Sequence, residues 1–134
     1  FKTGPAIALP PTLSVGEAVR SLAEFSPHQL LALPSSLGAL IGELERTGLR
    51  LPDLQGIRTL SETVTPRLRD DVRRMFGLPV HDCYSSQEAG VMAIQCPEAG
   101  TYHVAEHILL EAVGADEQPC GPGQTGRLLV TDLI

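Results

Sequence analysis

The sequence predicts an α/β fold, with three strand–helix units forming a parallel sheet over about residues 1–88 and a small antiparallel β section over about 100–134. In the first part, short apolar runs alternate with amphipathic helix patterns, and helical crossovers between such strands are typical of parallel sheets. In the second part, strand candidates follow one another through Gly/Pro-rich turns. With 134 residues, 43% of them hydrophobic, the chain can bury a core.

The first strand–helix unit begins with the apolar run Ala6–Leu9, which two prolines close because they cannot continue a strand ladder. Ser14 and Glu17 then have the spacing of a capping box, in which each side chain satisfies an exposed amide of the first helical turn. Apolar residues recur at helical spacing after them, and we expect this helix to end near Phe25.

The second unit starts with Gln29–Leu33, a continuous apolar run of the kind that is buried in parallel sheets. Residues 34–36, Pro-Ser-Ser, end this strand and supply a cap for the next helix. Leu37, Leu40, Ile41 and Leu44 mark one face of that helix, and Gly48 is placed to terminate it in a left-handed conformation.

The third unit starts with the strand Gly56–Leu60. Thr65 and Pro66 have the residue types preferred at the cap and in the first turn of a helix, and Gly77 closes this helix. The next strand is predicted over Pro79–Tyr84.

Three further strands are predicted beyond this point, over Thr101–Val104, His107–Val113 and Arg127–Thr131. No helical pattern separates them, and the turn at Pro119–Gly123 is rich in Gly and Pro. They therefore form the antiparallel section.

Composition excludes several classes of protein. The net charge of −6 argues against nucleic-acid binding, which depends on Lys and Arg at phosphates. The cluster Arg67–Arg74 is interleaved with Asp70 and Asp71, which indicates a solvated helix face.

No apolar run approaches the roughly 20 residues that span a bilayer, and no signal peptide opens the chain, so we expect a cytoplasmic protein without membrane contact. The sequence contains no Gly-x-Ser-x-Gly elbow of hydrolases, no Gly-Lys-Ser/Thr phosphate loop and no Gly-x-Gly-x-x-Gly motif of dinucleotide-binding proteins.

The stretch His81–Glu88 is the first candidate site, because ligands of open α/β sheets bind at the carboxyl ends of the strands. It carries an aromatic ring at Tyr84, hydroxyls at Ser85 and Ser86, and the Glu88 carboxylate. Such a set suits a nucleotide and its Mg²⁺, which binds through one or two carboxylates plus phosphates. Tyr84 equally fits a core tyrosine, and Glu88 a carboxylate that caps a short helix.

A second candidate site lies at Ser61, Glu62 and Thr63, between a strand and a helix. Position alone favours a plain polar turn here.

The third candidate is a zinc site at Cys96, His103, His107 and Cys120, since thiolates and imidazoles at four points suit tetrahedral Zn²⁺. Their spacings fit none of the compact zinc patterns, so zinc remains the weaker alternative.

Tyr84 and Glu88 have the spacing of the Tyr-Gly-x-(Ser/Thr)-Glu motif of adenylate-forming enzymes. In order along the chain, several other stretches resemble the middle of phenylacetate-CoA ligase-like members of that superfamily. These stretches are Ala8-Leu9-Pro10, Pro27–Leu37, Ser61-Glu62-Thr63, Gln95-Cys96-Pro97, Tyr102-His103-Val104, Glu111-Ala112-Val113, Gly123–Gly126 and Leu129-Val130-Thr131. The resemblance spans nearly the whole chain.

The resemblance implies a carboxylate–CoA ligase that uses ATP, Mg²⁺ and CoA. A small-molecule aryl or acyl acid is first converted to an acyl-adenylate and then transferred to the CoA thiol. By resemblance, Tyr84 packs against the adenine, and Glu88 is the catalytic residue that helps to hold Mg²⁺. The other cofactor-binding residues that it implies are Ser61, Glu62 and Thr63, lining the adenine pocket through their backbone, with Cys83, Ser85 and Ser86 beside Tyr84.

Two residues depart from the family pattern: Ser85 replaces the usual Gly, and Gln87 occupies the Ser/Thr position. These departures leave open the alternative that the chain is a non-catalytic α/β domain for ligand binding or protein interaction, with or without a stabilising zinc ion. The family's phosphate loop, ribose-binding Asp and C-terminal lysine are not found in the chain. We therefore expect an inactive internal fragment of an adenylation domain, with an α/β subdomain over 1–90 and a β-rich segment over 91–134. Its exposed apolar surface favours self-association as a homodimer.

Overall fold

A computed structural model of the chain describes residues 4–96 and 99–134. The chain divides into two compact units, Phe1–His81 and Asp82–Ile134. The first unit contains helix α1 (Val15–Phe25), strand β1 (Gln29–Ala32), helix α2 (Pro34–Thr47), strand β2 (Gly56–Leu60) and helix α3 (Pro66–Phe76). Strand β3 (Val80–Ser86) leads into the second unit, which continues with β4 (Gly90–Gln95), β5 (Tyr102–Val104), β6 (Ile108–Val113) and β7 (Arg127–Asp132).

Strands β1 and β2 pair in parallel, with Leu30 opposite Ile57 and Ala32 opposite Thr59. In the second unit β4 pairs antiparallel with both β3 and β5, and β6 pairs antiparallel with β7. The predicted α/β class, with parallel pairing at the start and an antiparallel β section after it, is thereby confirmed. No helix within 4–96 and 99–134 has the length and hydropathy needed to cross a membrane.

The core of the first unit is formed by side chains from its three helices, from β2 and from the connections around β2, together with Val80 at the start of β3. Its largest fully buried side chains are Val19, Leu37, Leu44, Ile57, Thr59 and Val72. Leu37 and Leu44 belong to the apolar face that the helical spacing predicts for α2. Burying a side chain of this size stabilises the fold by about 1.5–3 kcal/mol. The apolar periodicity of the helices is therefore the main sequence signal for this unit.

The predicted ends of α1 and α3 are confirmed. Ser14 and Glu17 form the capping box at the start of α1, where the Glu17 N–H donates to the Ser14 hydroxyl at 3.3 Å. The Thr65 hydroxyl accepts from the Leu68 N–H at 3.2 Å and caps α3. Gly48 and Gly77 terminate α2 and α3 with φ of 72° and 69°, in the left-handed region that favours glycine.

The arginine cluster of α3 forms ion pairs, as the sequence indicates. Arg74 reaches Asp71 at 2.8 Å and Glu45 of α2 at 3.1 Å, and Arg67 lies 3.8 Å from Asp71. The carboxylates raise the pKa of Arg74, chiefly through its hydrogen bond to Glu45 and then through that to Asp71. This surface is a solvated face.

Three local predictions are wrong. Ala6–Leu9 is not a strand, because prolines on either side remove ladder donors and the run lies mostly exposed without a paired neighbour. The predicted cap within residues 34–36 is absent, because α2 already begins at Pro34 with Leu33 at its N-cap. β1 is only half-buried, and its Leu31 is 61% exposed.

Strand β4 was missed in the sequence, although the apolar run Val91–Ile94 directly follows a glycine. It forms a hairpin with β3 through a turn at residues 87–89. Glu88 therefore lies in a hairpin turn and does not cap a short helix. The predicted strands of the antiparallel section correspond to β5, β6 and β7.

Candidate functional site

A cavity of about 380 Å³ lies within the second unit. Its lining comes from β3, the hairpin turn, β4 and β7, and consists of Tyr84, Ser86, Glu88, Ala89, Met92, Leu128, Val130 and Asp132. Apolar atoms of the aliphatic residues and of the tyrosine ring form much of this surface, and the polar groups are two carboxylates and two hydroxyls. The cavity thus combines an apolar surface with a few polar groups, as small-molecule sites usually do.

Strand β3 sorts the candidate residues onto two faces, because successive side chains of a strand point to opposite sides. Tyr84 and Ser86 line the cavity, whereas Cys83 and Ser85 alternate with them and are absent from its lining. Cys83 is 6% exposed, so its thiol is buried. Of the residues predicted on this strand, Tyr84 and Ser86 are therefore the ones that a ligand in the cavity can reach.

The turn after β3 carries Glu88 to the same cavity. The Ser86 hydroxyl accepts a hydrogen bond from the Ala89 N–H at 3.1 Å, which ties the end of the strand to the end of the turn. Gly90 follows with a φ of 64°, a left-handed conformation that most other residues adopt at a cost. The local sequence Ser-Gln-Glu-Ala-Gly thus fixes the position of Glu88 relative to Tyr84.

A bulge in β4 shapes the cavity floor. Tyr84 is opposite Ala93 and Ser85 is opposite Val91, so Met92 is an extra residue in β4 without a counterpart on β3. Bulges redirect side chains and often occur beside active sites. Here Met92 is 3% exposed and contributes to the cavity lining, whereas Val91 is 44% exposed.

Asp132 is a lining residue that the sequence interpretation did not assign. It follows Leu128 and Val130 at a spacing of two, and all three line the cavity from β7. That alternation is the signal that could have identified it. One carboxylate oxygen of Asp132 accepts from the Ile134 N–H at 3.2 Å.

The charged side chains that line the cavity are negative. Glu88 and Asp132 are its charged side chains, and the described lining includes no Lys, Arg or His. Two carboxylates repel a phosphate group unless a cation lies between them. One or two carboxylates together with phosphate oxygens are the usual ligands of protein-bound Mg²⁺. The donor set therefore fits a nucleotide that arrives with Mg²⁺ better than it fits a free phosphate.

Ser61, Glu62 and Thr63 lie in the first unit, in the connection between β2 and α3, and all three are exposed. Ser61 has a φ of 67°, which is left-handed and unfavourable for a residue with a Cβ atom. The Glu62 carboxylate accepts hydrogen bonds from Ser35, at 2.8 Å from its N–H and 2.9 Å from its hydroxyl. The connection is thus not merely a solvated turn, because it is bonded to the start of α2.

The zinc alternative is not supported. Within 4–96 and 99–134, no three His, Cys, Asp or Glu residues are grouped so that they could hold a metal ion. Cys96, His103 and Cys120, with His107, therefore do not form a closed zinc site. Pro97, part of the Gln95-Cys96-Pro97 stretch, lies outside the described residues.

Comparison with known proteins gives matches by structure only. No family model matches the sequence, and no curated protein sequence matches it. An anthranilate CoA ligase in complex with anthranoyl-AMP matches with a TM-score of 0.78 and 16% identity, over 88% of this chain and 24% of that one. A 2-hydroxyisobutyryl-CoA ligase in complex with 2-HIB-AMP and CoA matches with a TM-score of 0.78 and 20% identity, over 94% and 31%.

A long-chain-fatty-acid-CoA ligase from Archaeoglobus fulgidus matches with a TM-score of 0.78 and 16% identity, over 90% of this chain and 28% of that one. This chain thus spans about a quarter to a third of the length of each of these three ligases. At this level of identity the match establishes the fold. The chain has the fold of the corresponding segment of CoA ligases.

Proposed function

We propose that this chain is part of an ATP-dependent carboxylate–CoA ligase, of the phenylacetate-CoA ligase-like type, that activates an aryl or acyl acid as its adenylate. The observation that carries the proposal is that Tyr84 and Glu88, which match the family motif, line one cavity. The structural similarity to CoA ligases supports it. Because the chain spans about a third or less of those ligases, the activity belongs to the whole protein.

The residues of the cavity have distinct roles in this proposal. The Tyr84 ring, 47% exposed, packs against the face of the adenine. Glu88 holds Mg²⁺, and Asp132, which lines the same cavity, supplies a second carboxylate. The Ser86 hydroxyl borders the acyl and α-phosphate region. A volume of about 380 Å³ is at the lower end of the usual range for small-molecule sites, so it suits part of a nucleotide.

The proposed reaction has two steps. In the first step, a carboxylate oxygen of the acid forms a bond to the α-phosphorus of ATP, and the bond to pyrophosphate breaks. In the second step, the CoA sulfur forms a bond to the acyl carbon, the bond from that carbon to the phosphate oxygen of AMP breaks, and the thiol proton passes to solvent. Bound Mg²⁺ offsets the charge on the phosphates. Tyr84 and Ser86 contribute by holding the nucleotide in one orientation, which makes the attack effectively intramolecular.

Isothermal titration of AMP and of ATP–Mg²⁺ into the full-length protein tests this function. We expect Glu88→Gln to weaken ATP–Mg²⁺ by at least about tenfold and to leave AMP within about twofold, because the carboxylate acts through the metal. Glu24→Gln is the matched control, since Glu24 is an exposed carboxylate of α1 outside the cavity. Wild-type protein that binds neither nucleotide would favour the non-catalytic binding domain, with which Ser85 and Gln87 are compatible.

A further inference from the structure

The inner end of the cavity is formed by one buried side chain. Met92 is buried, whereas the other residues of the cavity lining are half-buried or exposed. The two charged side chains of the lining, Glu88 and Asp132, are both exposed. The cavity is therefore apolar at its inner end and carries its charge near solvent.

Met92 reaches the cavity because β4 is irregular at this point. Ala93 lies opposite Tyr84, so regular alternation along the strand would turn Met92 to the other face of the sheet. The bulge instead sets two successive residues of β4, Met92 and Ala93, against the single residue Tyr84. Met92 and Tyr84 thereby line the same cavity from adjacent strands. A ligand ring that lies on Tyr84 at the inner end therefore also meets Met92.

The chemistry of Met92 restricts which part of a ligand can occupy the inner end. Its thioether carries no charge and donates no hydrogen bond, and its sulfur makes favourable contacts with the edges of aromatic rings. A phosphate or a ribose hydroxyl would lose water at this surface and gain no strong hydrogen bond from it. A flat heterocycle gains contact with both the Tyr84 ring and the Met92 sulfur. The ring of a nucleotide therefore points inward, and its phosphates point outward to the exposed carboxylates and their Mg²⁺.

We propose that Met92 is a specificity-determining residue: its side chain closes the cavity beside Tyr84 and limits the size of the ring that this tyrosine can hold. The inference rests on the proposed function, in which that ring is adenine. A purine without a bulky substituent fits, whereas a larger ring system has to displace a buried side chain from its packing. Tyr84 thus attracts the ring, and Met92 selects it by size.

Binding of substituted nucleotides to the full-length protein tests this role. Isothermal titration compares AMP with three analogues, which carry a benzyl group at N6 or a phenyl group at C2 or C8, so that each edge of the base is probed. In wild type, the analogue whose added group points inward is expected to bind at least about fivefold more weakly than AMP, the lower limit for overpacking an interior. Met92→Ala is expected to bring this analogue to within about twofold of AMP, because the truncation leaves room for the group.

Three further variants control for volume, position and folding. Met92→Leu keeps nearly the same volume and is expected to keep the wild-type discrimination. Val91→Ala changes the neighbouring position of β4, which lies outside the cavity lining, and is expected to leave the ratio of analogue to AMP affinity unchanged. Met92→Val removes less of the side chain and suits a strand, so it is expected to give an intermediate ratio even where the alanine variant does not fold. This ratio is the readout because an unfolded fraction weakens every nucleotide by the same factor.

The outcomes separate this role from the proposed function. Equal ratios of analogue to AMP affinity in wild type, Met92→Ala and Met92→Val overturn the size limit and leave the proposed function intact. A gain in Met92→Leu or Val91→Ala as large as that in Met92→Ala also overturns it, because it indicates a general loosening of β4. Wild-type protein that binds neither AMP nor ATP–Mg²⁺ overturns the proposed function, and this role with it.

Discussion

Replacement of Tyr84 by alanine gives the most direct measure of the candidate site. The residue is 47% exposed, and a tyrosine has roughly 200 Å² of surface to bury, so roughly 95 Å² is open to a ligand. Stacking covers one face of the ring, or roughly 50 Å², which at 25 cal/mol per Å² gives about 1.2 kcal/mol. The base loses a similar area, and the sum is about 2.4 kcal/mol. The ring area alone corresponds to a loss of affinity of about sevenfold, and the sum of both areas to about fiftyfold. The expected loss lies between these two values.

The assay is isothermal titration of AMP and of ATP–Mg²⁺ into full-length wild type, Tyr84→Ala and Tyr84→Phe. Tyr84→Ala is expected to weaken both nucleotides by the same factor, because both carry adenine. Tyr84→Phe keeps the ring and is expected to bind within about twofold of wild type. Since the side chain is half exposed, the alanine variant is expected to fold, which the exchange rates of the β3 and β4 amides verify.

Unchanged AMP affinity in Tyr84→Ala would refute the stacking role. A loss confined to ATP–Mg²⁺ would also contradict it, since it would place the ring near the phosphates or the metal. An equal loss in the phenylalanine variant would show that the hydroxyl, and not the ring, makes the contact.

Two further predictions concern stability. The Tyr102 hydroxyl of β5 donates to the Asp82 carboxylate of β3 at 2.5 Å, across β4. Tyr102→Phe is expected to lower the free energy of unfolding by about 1 kcal/mol, which appears as roughly fivefold faster hydrogen exchange of the β4 amides. Exchange rates equal to wild type would contradict this contribution. Hydrogen bonds from the Ser14 side chain and then its backbone lower the pKa of Glu17 below its ordinary value of 4.5, so this carboxylate stabilises α1 above pH 4.5 and the contribution is lost as pH falls through the lowered pKa. In wild type, the first-turn amides of α1 are expected to lose protection from hydrogen exchange in that acid range. In Glu17→Gln, which keeps an acceptor without a charge, their protection is expected not to change over the same range. Identical pH dependence of the two proteins would exclude Glu17 as the titrating group.

The sequence predicted helices better than strands, for physical reasons. Helix ends are determined by neighbours within a few residues, as at Ser14 and Thr65, so local patterns suffice. A strand depends on a partner that is distant in sequence. Ala6–Leu9 has the apolar composition of a strand and no paired neighbour, while the equally short apolar run in β4 pairs with both β3 and β5.

The site was predictable where it lies in one stretch of chain. Tyr84, Ser86 and Glu88 are close in sequence, and alternation along β3 with one turn brings them to the same cavity. Asp132 comes from the far end of the chain: alternation along β7 groups it with Leu128 and Val130, but only the fold brings these residues to the cavity. The Glu62–Ser35 contact was unpredictable for the same reason, because it joins the β2–α3 connection to the start of α2, which only the fold brings together.

The extra residue in β4 has a consequence for judging relatives of this chain. Deleting Met92, the residue between Val91 and Ala93, would remove the bulge and leave Ser85 opposite Val91 and Ser86 opposite Gly90, as they are now. The pairing of β3 with β4 would then be kept, but the Met92 side chain would be lost from the cavity lining. A homologue with a gap at this point would therefore have a different cavity floor even if its tyrosine and glutamate were intact. Alignments across β4 are thus as informative about shared activity as the motif residues themselves.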